Sequence, residues 1–76
     1  MSEIFIFKNL KFKIWPNELE PPNVHVHGPN SFTKMNIDTL EIMKASGFSE
    51  KDLKIIQQQI FKRRSKISEK WDEFNG

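Results

Sequence analysis

Two histidines stand closest to chemistry in this sequence: His25 and His27, in the run Asn23-Val24-His25-Val26-His27. Imidazole changes charge nearer neutral pH than any other side chain, so a pair can accept and return a proton. On an extended strand, residues two apart share a face and stand about 7 Å apart, while Val24 and Val26 point the other way. A carboxylate lies close by in the loop Asn17-Glu18-Leu19-Glu20 and could fold back on the pair. His25, His27 and Glu18 are therefore the candidate catalytic residues, suited to the proton shuttling that phosphodiester cleavage needs. The same groups suit zinc, which takes three or four N, O or S ligands. Yet no zinc spacing signature, nucleophilic serine motif or phosphate-binding glycine loop accompanies them, and no metal or cofactor is expected. The plainer reading leaves both histidines half exposed on the solvent face of an antiparallel sheet.

A second group could do binding rather than proton transfer. Lys62-Arg63-Arg64-Ser65-Lys66 places four cations in about one helical turn. Guanidinium and ammonium groups at that density contact phosphates and release counterions, so Lys62, Arg63, Arg64 and Lys66 are candidate nucleic-acid contacts. Lys11 and Lys13 extend the patch, and Trp15 offers a ring on which an unpaired base can stack. Glu50, Asp52, Glu69, Asp72 and Glu73 share the same half of the chain. A solvated, salt-bridged helical face therefore competes with the binding reading.

The elements that must position these residues follow from two periods. Leu10, Phe12 and Ile14 alternate with Lys11, Lys13 and Trp15, which predicts a half-buried strand. Ile4-Phe5-Ile6-Phe7 is apolar on both faces, which predicts a strand that is central or covered on both sides. Lys8-Asn9 joins the two as a hairpin, with Asn9 tolerating the left-handed conformation. Pro16, Pro21 and Pro22 bracket the acidic loop and stop strand pairing there. Asn23 to His27 is the third strand, and Gly28-Pro29-Asn30-Ser31 turns the chain into a fourth, Phe32 to Ile37. After Asp38-Thr39, Leu40 to Met43 reads as a fifth strand, with a short helix as the alternative.

Beyond Gly47 the period changes to that of a helix. Ser49 and Asp52 fit a capping box, with Phe48 and Leu53 at the flanking staple positions. Leu53, Ile56, Ile60, Ile67, Trp71 and Phe74 then make an amphipathic stripe. One unbroken helix from Ser49 to Asn75 would measure about 40 Å, too long for a compact domain of this size. A break near Arg64-Ser65 is expected, with Ser65 able to cap a second short helix, or else a protruding end that needs a partner. The fold class is α+β: an antiparallel meander of four to five strands over residues 3–44, then one long or two shorter helices over 49–75. Residues 1–76 read as a single domain. Ile55 and Phe61 lie off the stripe, which suggests more apolar surface than one sheet face covers, and so an interface around Phe61, Trp71 and Phe74.

Composition sets bounds on the rest. A chain of 76 residues hides only about 60% of the surface its unfolded form exposes. It has no cysteine, so no disulfide or thiolate site braces it, and seven Phe and two Trp must carry the core. Net charge is only +2, a weak pull on a polyanion. Met1-Ser2-Glu3 lacks a basic n-region and no apolar run approaches a membrane span. A soluble, cytoplasmic protein without membrane contact is expected.

From Trp15 to Val26 the sequence Trp-Pro-Asn-Glu-Leu-Glu-Pro-Pro-Asn-Val-His-Val resembles the small prokaryotic family called domain of unknown function 4160. Members carry an Asn-Glu, a Pro-Pro and then His-x-His-Val. Gly47-Phe48-Ser49, Leu53, Ile56, Trp71, Glu73 and Phe74 resemble the helical end of that family. The first strand histidine of the family falls on Asn23 here, and only the second falls on His25. Such proteins are often encoded beside a second small protein in a toxin–antitoxin-like pair. The resemblance thus implies a toxin-like component acting on nucleic acid or translation, held silent by a cognate small antitoxin-like protein. A non-catalytic module that binds protein or nucleic acid is the alternative, and turnover stays open between the two. Association, with itself or with a partner, is expected in either case, as a small cysteine-free domain gains stability from a bound partner.

Overall fold

The computed structural model describes residues 2–16 and 21–75. Five strands come first, β1 (Ser2–Phe7), β2 (Leu10–Ile14), β3 (Asn23–Gly28), β4 (Ser31–Asn36) and β5 (Ile42–Ser46). They pair antiparallel in chain order. Two helices follow, α1 (Glu50–Lys62) and α2 (Arg64–Asn75). The α+β meander expected from the change of period is the fold. Among the described residues no helix is long and apolar enough to cross a membrane.

Alternation decides which side of the sheet the helices cover. Phe12 is in register with Val26, and Val26 with Thr33, so these side chains stack across three strands on one face. Phe12, Ile14, Val24, Val26, Met35 and Ile37 are fully buried there, against Ile56, Ile60, Ile67 and Trp71 of the helices. Burying each such side chain stabilises the fold by about 1.5–3 kcal/mol, and this packing carries a cysteine-free chain. Thr33 is the polar member of the row, and its hydroxyl donates to the Lys44 carbonyl at 2.7 Å. Lys11, Lys13, His25, His27 and Phe32 occupy the opposite face, as strict alternation requires.

Several details differ from the sequence expectation. β1 is an edge strand, not a central one, and Ile6 is 55% exposed. A bulge between Glu3 and Phe5 adds Ile4, so Phe5 and Phe7 fall in register with Phe12 and Leu10 while Ile6 opposes Lys11. Phe5 stacks on Phe12 with ring centroids 4.1 Å apart. In the first hairpin Lys8, not Asn9, takes the left-handed conformation, at φ 57°. The fifth strand begins at Ile42 instead of Leu40, because the preceding turn runs further. The Asn36 side-chain oxygen accepts from the Asp38 and Thr39 N–H groups, and the Leu40 N–H donates to the Asn36 carbonyl. That leaves Leu40 at φ 64°, which no strand residue adopts.

Gly47 closes the sheet at φ 79°, where a Cβ would lie 2.5 Å from the Asn30 carbonyl oxygen. Ser49 then caps α1 as expected. Its hydroxyl accepts from the Asp52 N–H at 3.1 Å, and the Asp52 carboxylate accepts from the Ser49 N–H at 3.3 Å. The longest axis of the molecule is 32 Å, so a straight helix of about 40 Å would overshoot the sheet. The helix breaks at Arg63 (φ −111°, ψ 19°), and Ser65 lies inside α2 instead of capping it.

Candidate nucleic-acid interface

The face of the sheet away from the helices carries two rows of side chains fixed by strand register. In one, Lys13 opposes His25, His25 opposes Lys34, and Lys34 opposes Lys44. In the other, Ile6 opposes Lys11, Lys11 opposes His27, His27 opposes Phe32, and Phe32 opposes Ser46. Side chains directly opposite stand about 4.5–5.5 Å apart at Cβ. Four lysines thus surround two imidazoles on one surface.

Rings connect across these rows. Trp15 lies 5.5 Å from His25, centroid to centroid, and Phe32 lies 5.8 Å from His25 and 5.1 Å from His27. Trp15 is 39% exposed, while His25, His27 and Phe32 are half-buried. The result is a continuous strip of four rings between lysines. At one end of it a shallow basin of about 300 Å³ is lined by Asn9, Lys11, Lys13, His27, Gly28 and Pro29, with no acidic side chain among them. The His27 Nε2 atom is out of solvent and finds no hydrogen-bond partner among the described residues. Burial, and then the charge of Lys13, hold the His27 pKa below its ordinary value.

Each sequence-predicted residue has a definite place. His25 and His27 share a face opposite Val24 and Val26, as alternation predicts, but their rings pack on Phe32 instead of facing one shared hollow. Glu18 lies outside the described residues. Among the described residues no three His, Cys, Asp or Glu side chains converge as a metal site requires. Asn23, where the family resemblance places a histidine, is fully buried; its amide nitrogen donates to the Pro21 carbonyl at 2.8 Å, and its Oδ1 has no partner among the described residues.

The basic run at the helix joint belongs elsewhere. Lys62, Arg63, Arg64 and Lys66 sit in the helical layer, with the sheet between them and Lys11 and Lys13, so the continuous patch expected from sequence does not form. Arg63 lies 4.4 Å above the Phe5 ring and donates to the Gln59 side-chain oxygen. Arg64 donates to the Asp38 carbonyl. Both guanidinium groups tie the helix joint to the rest of the fold, whereas Lys62 and Lys66 are exposed. Of the three residues expected at an interface, Trp71 is spent on the core, Phe74 packs against it, and Phe61 is 58% exposed.

Lys34, Lys44 and Phe32 are the members of the open face that sequence reading passed over. For Phe32 and Lys34 the signal was present in the alternation of Phe32-Thr33-Lys34-Met35, which puts both on one face; the strand-pairing register was needed to see that they and Lys44 join the histidines. Searches of curated proteins and of solved structures found no match. A family model does match, over residues 9–72, which takes in both the histidine strand and most of the helical end. The chain belongs to the family described as domain of unknown function (DUF4160).

Proposed function

We propose that this protein binds single-stranded nucleic acid on the open face of its sheet, without turnover. The observation that carries the reading is the strip Trp15, His25, Phe32, His27 set between Lys11, Lys13, Lys34 and Lys44. The exposed Trp15, continued by half-buried rings, gives a base a stacking platform worth about 1–3 kcal/mol, and lysines along it contact the backbone. The basin at Lys11, Lys13 and His27 is the natural seat for one phosphate, and a phosphate there would favour the charged imidazole that burial, and then Lys13, disfavour.

The test is fluorescence anisotropy with labelled single-stranded RNA and DNA oligonucleotides at low salt. Binding should weaken steeply with added salt, quench the exposed Trp15, and fall at least about tenfold in Lys11→Glu/Lys13→Glu. Trp15→Ala should weaken it further still, while Lys62→Glu/Lys66→Glu leaves it unchanged. Binding lost in the helical variant and kept in the sheet variant would move the site to the helix joint, and absence of binding by the wild type would sink the reading.

The family resemblance supports a finer reading of the same face, as the working surface of a toxin-like component. Expression in a bacterial host should then arrest growth, relieved by the small protein encoded beside it, and Lys11→Glu/Lys13→Glu should abolish the arrest.

A further inference from the structure

We propose that two copies of this chain pair through the outer face of α1, with Phe61 of each copy seated in a hollow of the other. Phe61 is 58% exposed, and the Arg64 guanidinium, itself bonded to the Asp38 carbonyl, lies 5.7 Å from its ring centroid. A large exposed aromatic flanked by an arginine is the kind of anchor on which interfaces concentrate their energy. Beside it runs a groove of about 560 Å³ floored by Leu40, with Lys54 and Gln57 along its wall. The groove continues into a second hollow of about 290 Å³ at Ile42 and Leu53, since Lys54 and Gln57 line both. Ile42, 41% exposed, is another of the large apolar side chains left in solvent.

The pattern along α1 selects a second copy as the occupant. Glu50, Lys54, Gln57 and Phe61 recur at helical spacing and form one stripe. The projecting ring stands at one end of that stripe and the Ile42–Leu53 hollow about 11 Å away at the other, at 1.5 Å per residue. A two-fold axis through the middle of the stripe reverses one copy on the other, so each ring meets the other copy's hollow, as an isologous contact requires. Charge is arranged the same way. Glu50 stands at the hollow end, Lys62 and Arg64 at the ring end, so reversal brings Lys62 of each copy to Glu50 of the other. The contact centres on a single exposed aromatic from each copy, so the dimer should be weak and populated at about 100 µM.

Sedimentation equilibrium of the whole chain, from about 10 µM to about 1 mM in low salt, tests this where weak pairs populate and surface charges are least screened. The wild type should show a monomer–dimer equilibrium, and Phe61→Glu should raise its dissociation constant about 30-fold. Glu50→Lys and Lys62→Glu should each weaken the dimer, and the double variant should regain wild-type affinity, with circular dichroism confirming that every variant is folded. A wild type that stays monomeric at about 1 mM, a dimer indifferent to Phe61→Glu, or a double variant no better than its parents would each overturn the proposal.

Discussion

His27 is held between Lys11 and Phe32 in register, with one ring nitrogen out of solvent. Burial first and Lys13 second disfavour its charged form, so its pKa in the fold lies below the ordinary 6.5. The unfolded chain therefore takes up the proton more readily than the folded one. The stability this represents is fully present above the unfolded value and is lost as pH falls from there through the folded value. The urea midpoint of the wild type should accordingly drop between pH 7.5 and 5.5, roughly the window around an unperturbed histidine, and more steeply than in His27→Gln. Equal slopes would show that His27 titrates alike in both states. Arg63 and Arg64 teach the opposite lesson about reading single residues. Consecutive cations suggested a phosphate-binding surface, but a guanidinium is also the group best able to lie on a ring and reach a carbonyl, and here Phe5 and Asp38 claim them.

Elements were the most legible level, because they rest on local rules. The switch from period two to period 3.6, the prolines around the loop and the Ser49–Asp52 capping box all described the chain that folds. Replacing Ser49 with Ala removes the acceptor for the Asp52 N–H and should cost about 1 kcal/mol, read as a lower urea midpoint with an unchanged slope. Asp52→Asn should cost less, since an amide can still accept from the Ser49 N–H. What local rules missed was set by non-local geometry. The all-apolar Ile4–Phe7 run looked central or covered on both sides, yet β1 has only one neighbour and stands at the sheet edge. Leu40 looked like strand because nothing in its own side chain announces a left-handed turn; Asn36, four residues earlier, imposes it through the turn it closes. The helix breaks at Arg63, beside the Arg64-Ser65 joint expected, but Ser65 lies inside α2 instead of capping it.

At the scale of the whole molecule, a net charge of +2 conceals a polarised distribution. One sheet face gathers Lys11, Lys13, Lys34 and Lys44, with Glu3 opposite Lys13 at its margin, while the two helices mix Glu50, Asp52, Glu69, Asp72 and Glu73 with lysines and arginines. Composition could not reveal this, since it depends on which strands are neighbours. The same pairing shows that the two outermost strands are interrupted alike. Ile4 in β1 and Met43 in β5 are each an extra residue with no counterpart on the adjoining strand. A kinked, twisted margin offers no flat row of amides for another chain to extend. The molecule is thereby closed to lateral growth, the mode of propagation by which fibrils elongate. Deleting Ile4 would restore an unbroken strand without changing which face Phe5 and Phe7 occupy, whereas Ile4→Ala would keep the extra residue and lose only its side chain. The deletion should form thioflavin-positive assemblies in quiescent solution and the alanine variant should stay clear. If so, a single surplus residue at each margin is what keeps a small, aromatic-rich sheet from serving as its own seed.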